Sequence, residues 1–264
     1  MEFTNKTVWI TGTTSGIGKA VAIEISHSNS NLILSGRNEK ALEEVAEICR
    51  KNGSSVILAP FDLSNEQSVL HAAENVLRQV PKIDCLFHFG GISHRSFVTE
   101  TPPEVDRKIF EVNFFGTVLL TKAILPGMIK AGGGQIAVTT SIVGKFGFPY
   151  RSAYSASKHA LQGYFESLRT ENVQNNITVS IIIPGRIKTN ISFNALDKNG
   201  QKRGIRDESL ENGKDVNETA KYIVRKLKRQ KKEILVGGKE IFMVYIKRFI
   251  PSLYYYASSK VKPL

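Results

Sequence analysis

A chain of 264 residues, 41% hydrophobic and with a formal net charge of +12, can bury one large α/β core and requires no second domain. Cys49 and Cys85 lie outside any C-x-x-C or clustered-histidine context, which argues against a disulfide scaffold and a metal centre. No uninterrupted apolar run approaches the ~18–20 residues of a membrane span, and the opening Met1-Glu2-Phe3 runs straight into a strand with no room for a secretory signal; a reducing, cytoplasmic location is expected.

In chain order, residues 6–11 form a short β-prone run that ends in Gly12-Thr13-Thr14-Ser15-Gly16-Ile17-Gly18. Ile17, Val21, Ala22 and Ile25 then recur at helical spacing. Strand, glycine turn and helix form the opening unit of a dinucleotide-binding sheet, because glycines let backbone amides approach a pyrophosphate and a helix N-terminus favours its charge. The spacing is G-x-x-x-G-x-G rather than the generic G-x-G-x-x-G. A second β-prone run, 31–35, leads into Gly36-Arg37-Asn38 about 20 residues on, where the adenosine ribose should lie. An arginine there, in place of an acid, points to the 2′-phosphate of NADP; a solvated loop arginine is the competing reading.

Further β-prone runs fall at 55–60, 83–88, 134–140, 177–183 and 233–236, with helical stretches between them. That alternation predicts a single α/β domain of Rossmann type, a doubly wound parallel β-sheet with helices on both faces. Ser64-x-x-Gln67 and Asp215-x-x-Glu218 read as capping boxes. Tyr154 and Lys158, four apart on a predicted helix, share one face. An ammonium ~4 Å from a phenolate, at an effective dielectric near 20, contributes about 4 kcal/mol. That would draw the tyrosine from ~10 toward neutrality and let it trade a proton with an alcohol or ketone.

These motifs resemble one family, the classical short-chain dehydrogenases/reductases. Thr11-Gly12-x-x-x-Gly16-x-Gly18 matches its nucleotide turn and Asp62-Leu63 its adenine-contacting pair. Asn113, Ser141, Tyr154 and Lys158 match its catalytic tetrad, and Pro184-Gly185 with Thr189 the segment beside the nicotinamide. The strings Gly-Gly-Ile-Ser-His-Arg-Ser and Lys-Arg-Phe-Ile-Pro resemble the branch near 11β-hydroxysteroid dehydrogenase and the member 7 group. The resemblance implies hydride transfer between NADP(H), preferred over NAD(H), and the carbonyl or secondary alcohol of a lipophilic small molecule. Tyr154 would be the acid or base, Lys158 would lower its pKa and hold the nicotinamide ribose, Ser141 would orient the substrate oxygen, and Asn113 would hold a relay water. Gly12, Thr14, Ser15, Gly16, Ile17, Gly18, Arg37, Asp62, Leu63, Gly90, Tyr154, Lys158, Pro184, Gly185, Ile187 and Thr189 would contact the cofactor. A homodimer or homotetramer built on helices around 104–130 and 152–174 is also implied. One element departs: His88-Phe89-Gly90-Gly91 stands where the family carries Asn-Asn-Ala-Gly, which bears on local stability and cofactor affinity.

Val143, Phe146, Phe148, Tyr150, Ile191 and Phe193 are candidates for an apolar substrate wall, and the aperiodic stretch 190–214 for a mobile lid. Between residues 221 and 264, twelve Lys/Arg face only Glu233 and Glu240. Ile241, Val244, Tyr245 and Phe249, with three tyrosines after Pro251, make 239–264 a basic amphipathic extension. It could rest on a membrane surface, cover a pocket entrance, or pack on its own domain with a solvated basic face. Nucleic acid ranks behind these, since no binding motif accompanies the charge. The rival functional readings are an NADP(H)-binding regulatory or partner-binding protein with little catalysis, and an epimerase or dehydratase of the extended relatives.

Overall fold

Alternate residues of a strand face opposite ways, and the strands of this protein are apolar on both sides. The computed structural model describes residues 1–260. In it Val8 and Ile10 enter one core while Trp9, between them, enters a second. The same split separates Leu32 and Leu34 from Ile33, and Cys85 and Phe87 from Leu86. A sheet with two buried faces results. Its strands are β1 (Thr7–Thr11), β2 (Asn31–Ser35), β3 (Ser55–Leu58), β4 (Cys85–His88), β5 (Gly134–Thr139), β6 (Ile177–Pro184) and β7 (Glu233–Val236). They lie in the order β3-β2-β1-β4-β5-β6-β7, all parallel.

One face is covered by α1 (Gly16–Ser26) and α2 (Glu39–Lys51), whose Val21, Ile25, Leu42 and Val45 share a core with Ile223 and Leu227 of a C-terminal helix. The other carries α3 (Glu66–Gln79), then α4 (Pro103–Phe110), α5 (Gly116–Lys130) and α6 (Ser152–Glu171). Val76, Ile124, Leu161 and Phe165 anchor this second layer. The short α7 (Glu208–Glu211) precedes α8 (Val216–Lys228), the helix that carries Ile223 and Leu227. Strands step outward from β1 to β3, and the chain then returns to lay β4 on the far side of β1. The loops leaving β1 and β4 therefore diverge, and a crevice opens between their C-terminal ends.

Several local expectations are modified. Asn65, not Ser64, caps α3 by accepting from the Ser68 amide, while the Ser64 hydroxyl donates to Asp62. Asp215 caps α8 as the spacing predicts. A π turn, Glu111–Phe115, fuses α4 and α5 into one helical run, Pro103–Lys130, long and apolar enough by length and composition to cross a membrane. Its Val105, Ile109, Leu120, Ile124 and Met128 are buried, so it is a core helix here. The basic amphipathic extension expected after residue 239 forms two helices, α9 (Phe242–Phe249) and α10 (Pro251–Ser259), separated where Pro251 disfavours helical geometry at Ile250. Residues 261–264 of that extension, with Lys262, lie outside the described residues.

His88, where an asparagine was expected, is buried at the end of β4. Its Nε2 lies 2.9 Å from Thr121 Oγ1 on α5. Because that hydroxyl donates to the Thr117 carbonyl, the imidazole is the donor, and its Nδ1 has no partner among the described residues. Burial lowers its pKa to about 3. The unfolded chain binds this proton below ~6.5 and the folded chain only near 3, so stability falls as pH drops through that window. In urea unfolding at about pH 7 and 4.5, the wild type should lose about 2–3 kcal/mol more than His88→Asn; equal losses would show that the histidine is not held neutral.

Candidate active site

The turn after β1 and the loop after β4 touch backbone to backbone. Gly12 sits at φ +72°, and a Cβ there would lie 2.5 Å from the Gly90 nitrogen. At Gly18 a Cβ would lie 2.4 Å from the Gly12 carbonyl oxygen. Only glycine permits both approaches. Ser15 precedes α1 in extended geometry, and its side chain makes no cap hydrogen bond among the described residues. The first-turn amides of α1 are thus free to meet an anion. This cradle fits the pyrophosphate of a dinucleotide.

A cleft of about 560 Å³ opens from it. Its walls include Gly12, Thr14, Ser15, Gly16, Ile17, Gly18, Arg37, Asp62, Leu63, Gly90, Pro184, Gly185, Ile187 and Thr189, together with Ser141, Tyr154 and Lys158. Arg37 stands at the rim, 65% exposed, 3.8 Å from an Asp62 carboxylate oxygen. Leu63 is brought in by α5, which passes so closely that a Cβ on Gly116 would fall 2.1 Å from the Leu63 carbonyl oxygen.

Ser141 ends the chain segment leaving β5. Its hydroxyl accepts from Val143 at 3.4 Å, capping a short 3-10 turn, and donates to the Pro184 carbonyl at 3.5 Å; both bonds are long enough to yield to a ligand. Tyr154 and Lys158 emerge from the first two turns of α6. Lys158 Nζ lies 5.7 Å from the Tyr154 ring centroid and donates to the Thr139 carbonyl at 2.9 Å.

Two electrostatic expectations change. Burial raises the Tyr154 phenol above its ordinary value, and what opposes burial is Arg151, Arg95 and a hydrogen bond with Ser141. Lys158 is itself buried, which lowers its pKa to about 8. The strong Lys158 attraction expected from i, i+4 spacing therefore does not bring the phenol toward neutrality, because desolvation penalises both charged forms. Asn113, in the π turn, lies behind the cleft wall. Its Oδ1 accepts from the Ile92 amide at 2.8 Å, and its Nδ2 donates to the Ile92 carbonyl and Ser157 Oγ, both at 3.0 Å. These bonds hold the β4 loop against α6.

The expected apolar wall is largely elsewhere. Val143 and Phe146 are core residues packed with Tyr254 of α10, Tyr150 stacks edge-on with Phe97, and Phe193 lies beneath the cations of Lys202 and Arg206. Phe148 joins the Tyr254 cluster as well. Of the six candidates Ile191 lines the cleft, joined by Ile92, Val112, Leu196 and Leu210, with Lys108 and Lys202 at its edge. Ile92 belongs to the Gly-Gly-Ile-Ser-His-Arg-Ser string, but nothing in the sequence marked it, Val112, Leu196 or Leu210 as cleft wall; chain packing brings them together.

Sequence reasoning also missed two bracing carboxylates. Asp207 has no exposed side-chain surface and receives Arg95 at 2.8 Å, Arg151 at 3.3 Å and Arg203. Burial pushes its carboxyl up, but these guanidiniums outweigh burial and hold it below the usual range. Arg151 in turn is lowered to about 10, chiefly by burial. The cluster ties the 190–207 segment to the β4 loop and the start of α6. The Arg95 amide also donates to the Leu196 carbonyl at 2.8 Å, a second tie between the β4 loop and the stretch expected to be a lid. Glu240, just before α9, accepts from the amides of Arg186 and Gly238 and braces the loop after Pro184. Burial again raises its carboxyl, and the backbone donors outweigh it.

Residues 6–200 match the family model described as short chain dehydrogenase. The chain is 38% identical over 258 residues to dehydrogenase/reductase SDR family member 7B of Danio rerio, covering 95% of this chain and 84% of that one. It is 37% identical over 264 residues to a dehydrogenase/reductase SDR family protein 7-like of Drosophila melanogaster, covering 98% and 81%. A short chain dehydrogenase/reductase from Burkholderia phymatum, solved in complex with NAD, superposes with a TM-score of 0.85 at 23% identity, over 100% of this chain and 99% of that one. An alcohol dehydrogenase from the archaeon Thermococcus sibiricus, complexed with 5-hydroxy-NADP, superposes with a TM-score of 0.76 at 26% identity, over 89% and 97%.

Removing the buried anion should be costly, because Asp207→Ala leaves three guanidiniums facing one another. The expected loss is about 3–5 kcal/mol in chemical denaturation, with faster proteolytic cleavage between residues 190 and 207. A loss below about 1 kcal/mol, the range of a surface pair, would mean the cluster is not desolvated.

Proposed function

Because the chain belongs to the short-chain dehydrogenases, in the branch of the member 7 dehydrogenases/reductases, we propose that it transfers a hydride between NADP(H), preferred over NAD(H), and the carbonyl or secondary alcohol of a lipophilic small molecule. The observation that carries this reading is the convergence of Ser141, Tyr154 and Lys158 with the glycine turn on one cleft. The α1 N-terminus would receive the pyrophosphate, Asp62 and Leu63 the adenine, and Arg37 the 2′-phosphate. Lys158 would meet the nicotinamide ribose, opposite the backbone of Gly90 and of Pro184–Gly185.

When bound, the nicotinamide supplies or accepts the hydride. Tyr154 gives its proton to the carbonyl oxygen in reduction and takes it back in oxidation. A phenol held protonated by burial suits the reductive direction, since the donor is loaded at neutral pH. Ser141 exchanges its long bond to Pro184 for one to the substrate oxygen. Lys158, with a pKa near 8, is poised to pass a proton back to the phenol, and Asn113 positions this pair through Ile92 and Ser157. Ile92, Val112, Ile191 and Leu196 give the substrate end its apolar character. We place the protein in a reducing, cytoplasmic location as part of the same proposal. Phe115, 51% exposed on the π turn, sits on the helical face proposed for self-association as a dimer or tetramer.

A panel of carbonyls and secondary alcohols assayed with NADPH and NADH tests the reading as a whole. Tyr154→Phe keeps the ring and removes the proton donor, so turnover should fall about 10²–10⁴-fold while NADPH still binds by fluorescence titration; normal turnover would refute the assigned role. Arg37→Asp should weaken NADPH about 10- to 100-fold and leave NADH nearly unchanged. Equal effects on the two cofactors would refute the phosphate contact.

A further inference from the structure

Among the described residues, seven of the fifteen large apolar side chains left exposed fall within residues 242–256, which singles out α9 and α10 from the rest of the surface. A helix packed on its own domain carries one apolar stripe and a polar outer face. These two helices have apolar groups on both faces. The inner one, Met243, Val244, Ile246 and Tyr254, packs on Val143, Phe146 and Phe148, and the Tyr254 hydroxyl donates to the Gly147 carbonyl. The outer one presents Phe242, Tyr245, Phe249, Leu253 and Tyr256, of which Phe242 is 65% and Phe249 72% exposed.

Charge decides what such a face fits. Beyond Glu240 the sequence contains no acidic residue, and Glu240 is occupied by backbone amides. Lys247 lies 4.0 Å from the Tyr255 ring centroid and Lys260 4.1 Å from that of Tyr256, so cations and aromatic rings share one surface. Two copies meeting through this face would oppose Lys247 and Arg248 to one another with no carboxylate on α9 or α10 to pair them. Aromatic rings with interspersed lysine and arginine suit the headgroup layer of an anionic bilayer. At 8 and 9 residues, about 12–14 Å each, neither helix could span a hydrocarbon core of about 30 Å.

We propose that the outer face of α9–α10 docks the protein peripherally on an anionic lipid surface, with the two helices lying in the headgroup layer. Docking here would set the Tyr154 end of the cleft beside the membrane, since Tyr154 belongs to the same side-chain cluster as Tyr254 and Phe146. That clause alone rests on the proposed oxidoreductase reading; the docking itself does not.

The test is flotation of the full chain with phosphatidylcholine vesicles and with vesicles containing about one-third phosphatidylserine, at roughly 0.1 M and 0.5 M salt. The wild type should bind the anionic vesicles at least 10-fold more tightly than the neutral ones, and the preference should shrink at high salt. Lys247→Glu with Arg248→Glu should remove the preference for anionic lipid at least 10-fold. Phe242→Ser with Phe249→Ser should weaken binding to both vesicle types. Circular dichroism should report both variants folded, and turnover of a water-soluble carbonyl should persist in each, which separates failure of docking from failure of the catalytic reading. Absence of wild-type flotation, or equal flotation of all three proteins, would overturn the proposal. So would a dimer in size-exclusion chromatography with light scattering that the Phe242→Ser/Phe249→Ser pair abolishes, since the face would then be a self-interface.

Discussion

Two backbone segments in contact, the turn at Gly12 and the loop at Gly90, set the geometry on which the rest of the site depends. A side chain at Gly12 would run into the Gly90 backbone and push the ends of β1 and β4 apart, and one at Gly90 would strike the Leu63 side chain. The free amides of α1 would then no longer face the loop that must lie across the cofactor. The strand order places this contact at the point where the chain reverses direction across the sheet, which is where an open α/β sheet has room for a ligand. His88 and Phe89, unusual for the position, leave the contact intact. Phe89 donates through its amide to the Thr11 carbonyl, and His88 finds a hydroxyl on α5.

The electrostatics of the cleft follow from burial as much as from pairing. Tyr154 and Lys158 lie on one helical face, yet both are desolvated, and each is moved toward its neutral form. The formal charges that act on the phenol against burial come from Arg151 and Arg95, whose counter-ion is Asp207. The carboxylate that fastens the 190–207 segment is therefore also the group that moderates the field at the proton donor. Fastening and tuning are two consequences of one buried ion cluster, whose members are close enough to be strongly coupled.

Asp207 and Glu240 play parallel parts at the two ends of the substrate region. The first joins the β4 loop, the start of α6 and the segment after Thr189. The second joins the loop after β6 to the entry of α9. Neither faces the cleft, yet each holds backbone that does. The apolar face of α9–α10 begins directly after Glu240, so the segment that meets the surroundings is bolted to the one that flanks Pro184–Gly185.

Much of this was legible in the residues alone. Strand positions, the glycine turn, the pair Tyr154–Lys158 and the cap at Asp215 rest on spacings of a few residues, and local geometry translates such spacings directly into structure. The substrate wall and the capping of α3 were not legible, because several side chains of suitable type compete for each role and only packing chooses among them. The tertiary structure alone decided that Asp207 meets Arg95, 112 residues away, and that one face of the C-terminal helices is covered while the other is open. Desolvation and Coulomb attraction depend on which groups are neighbours in space, and no periodicity along a chain encodes that.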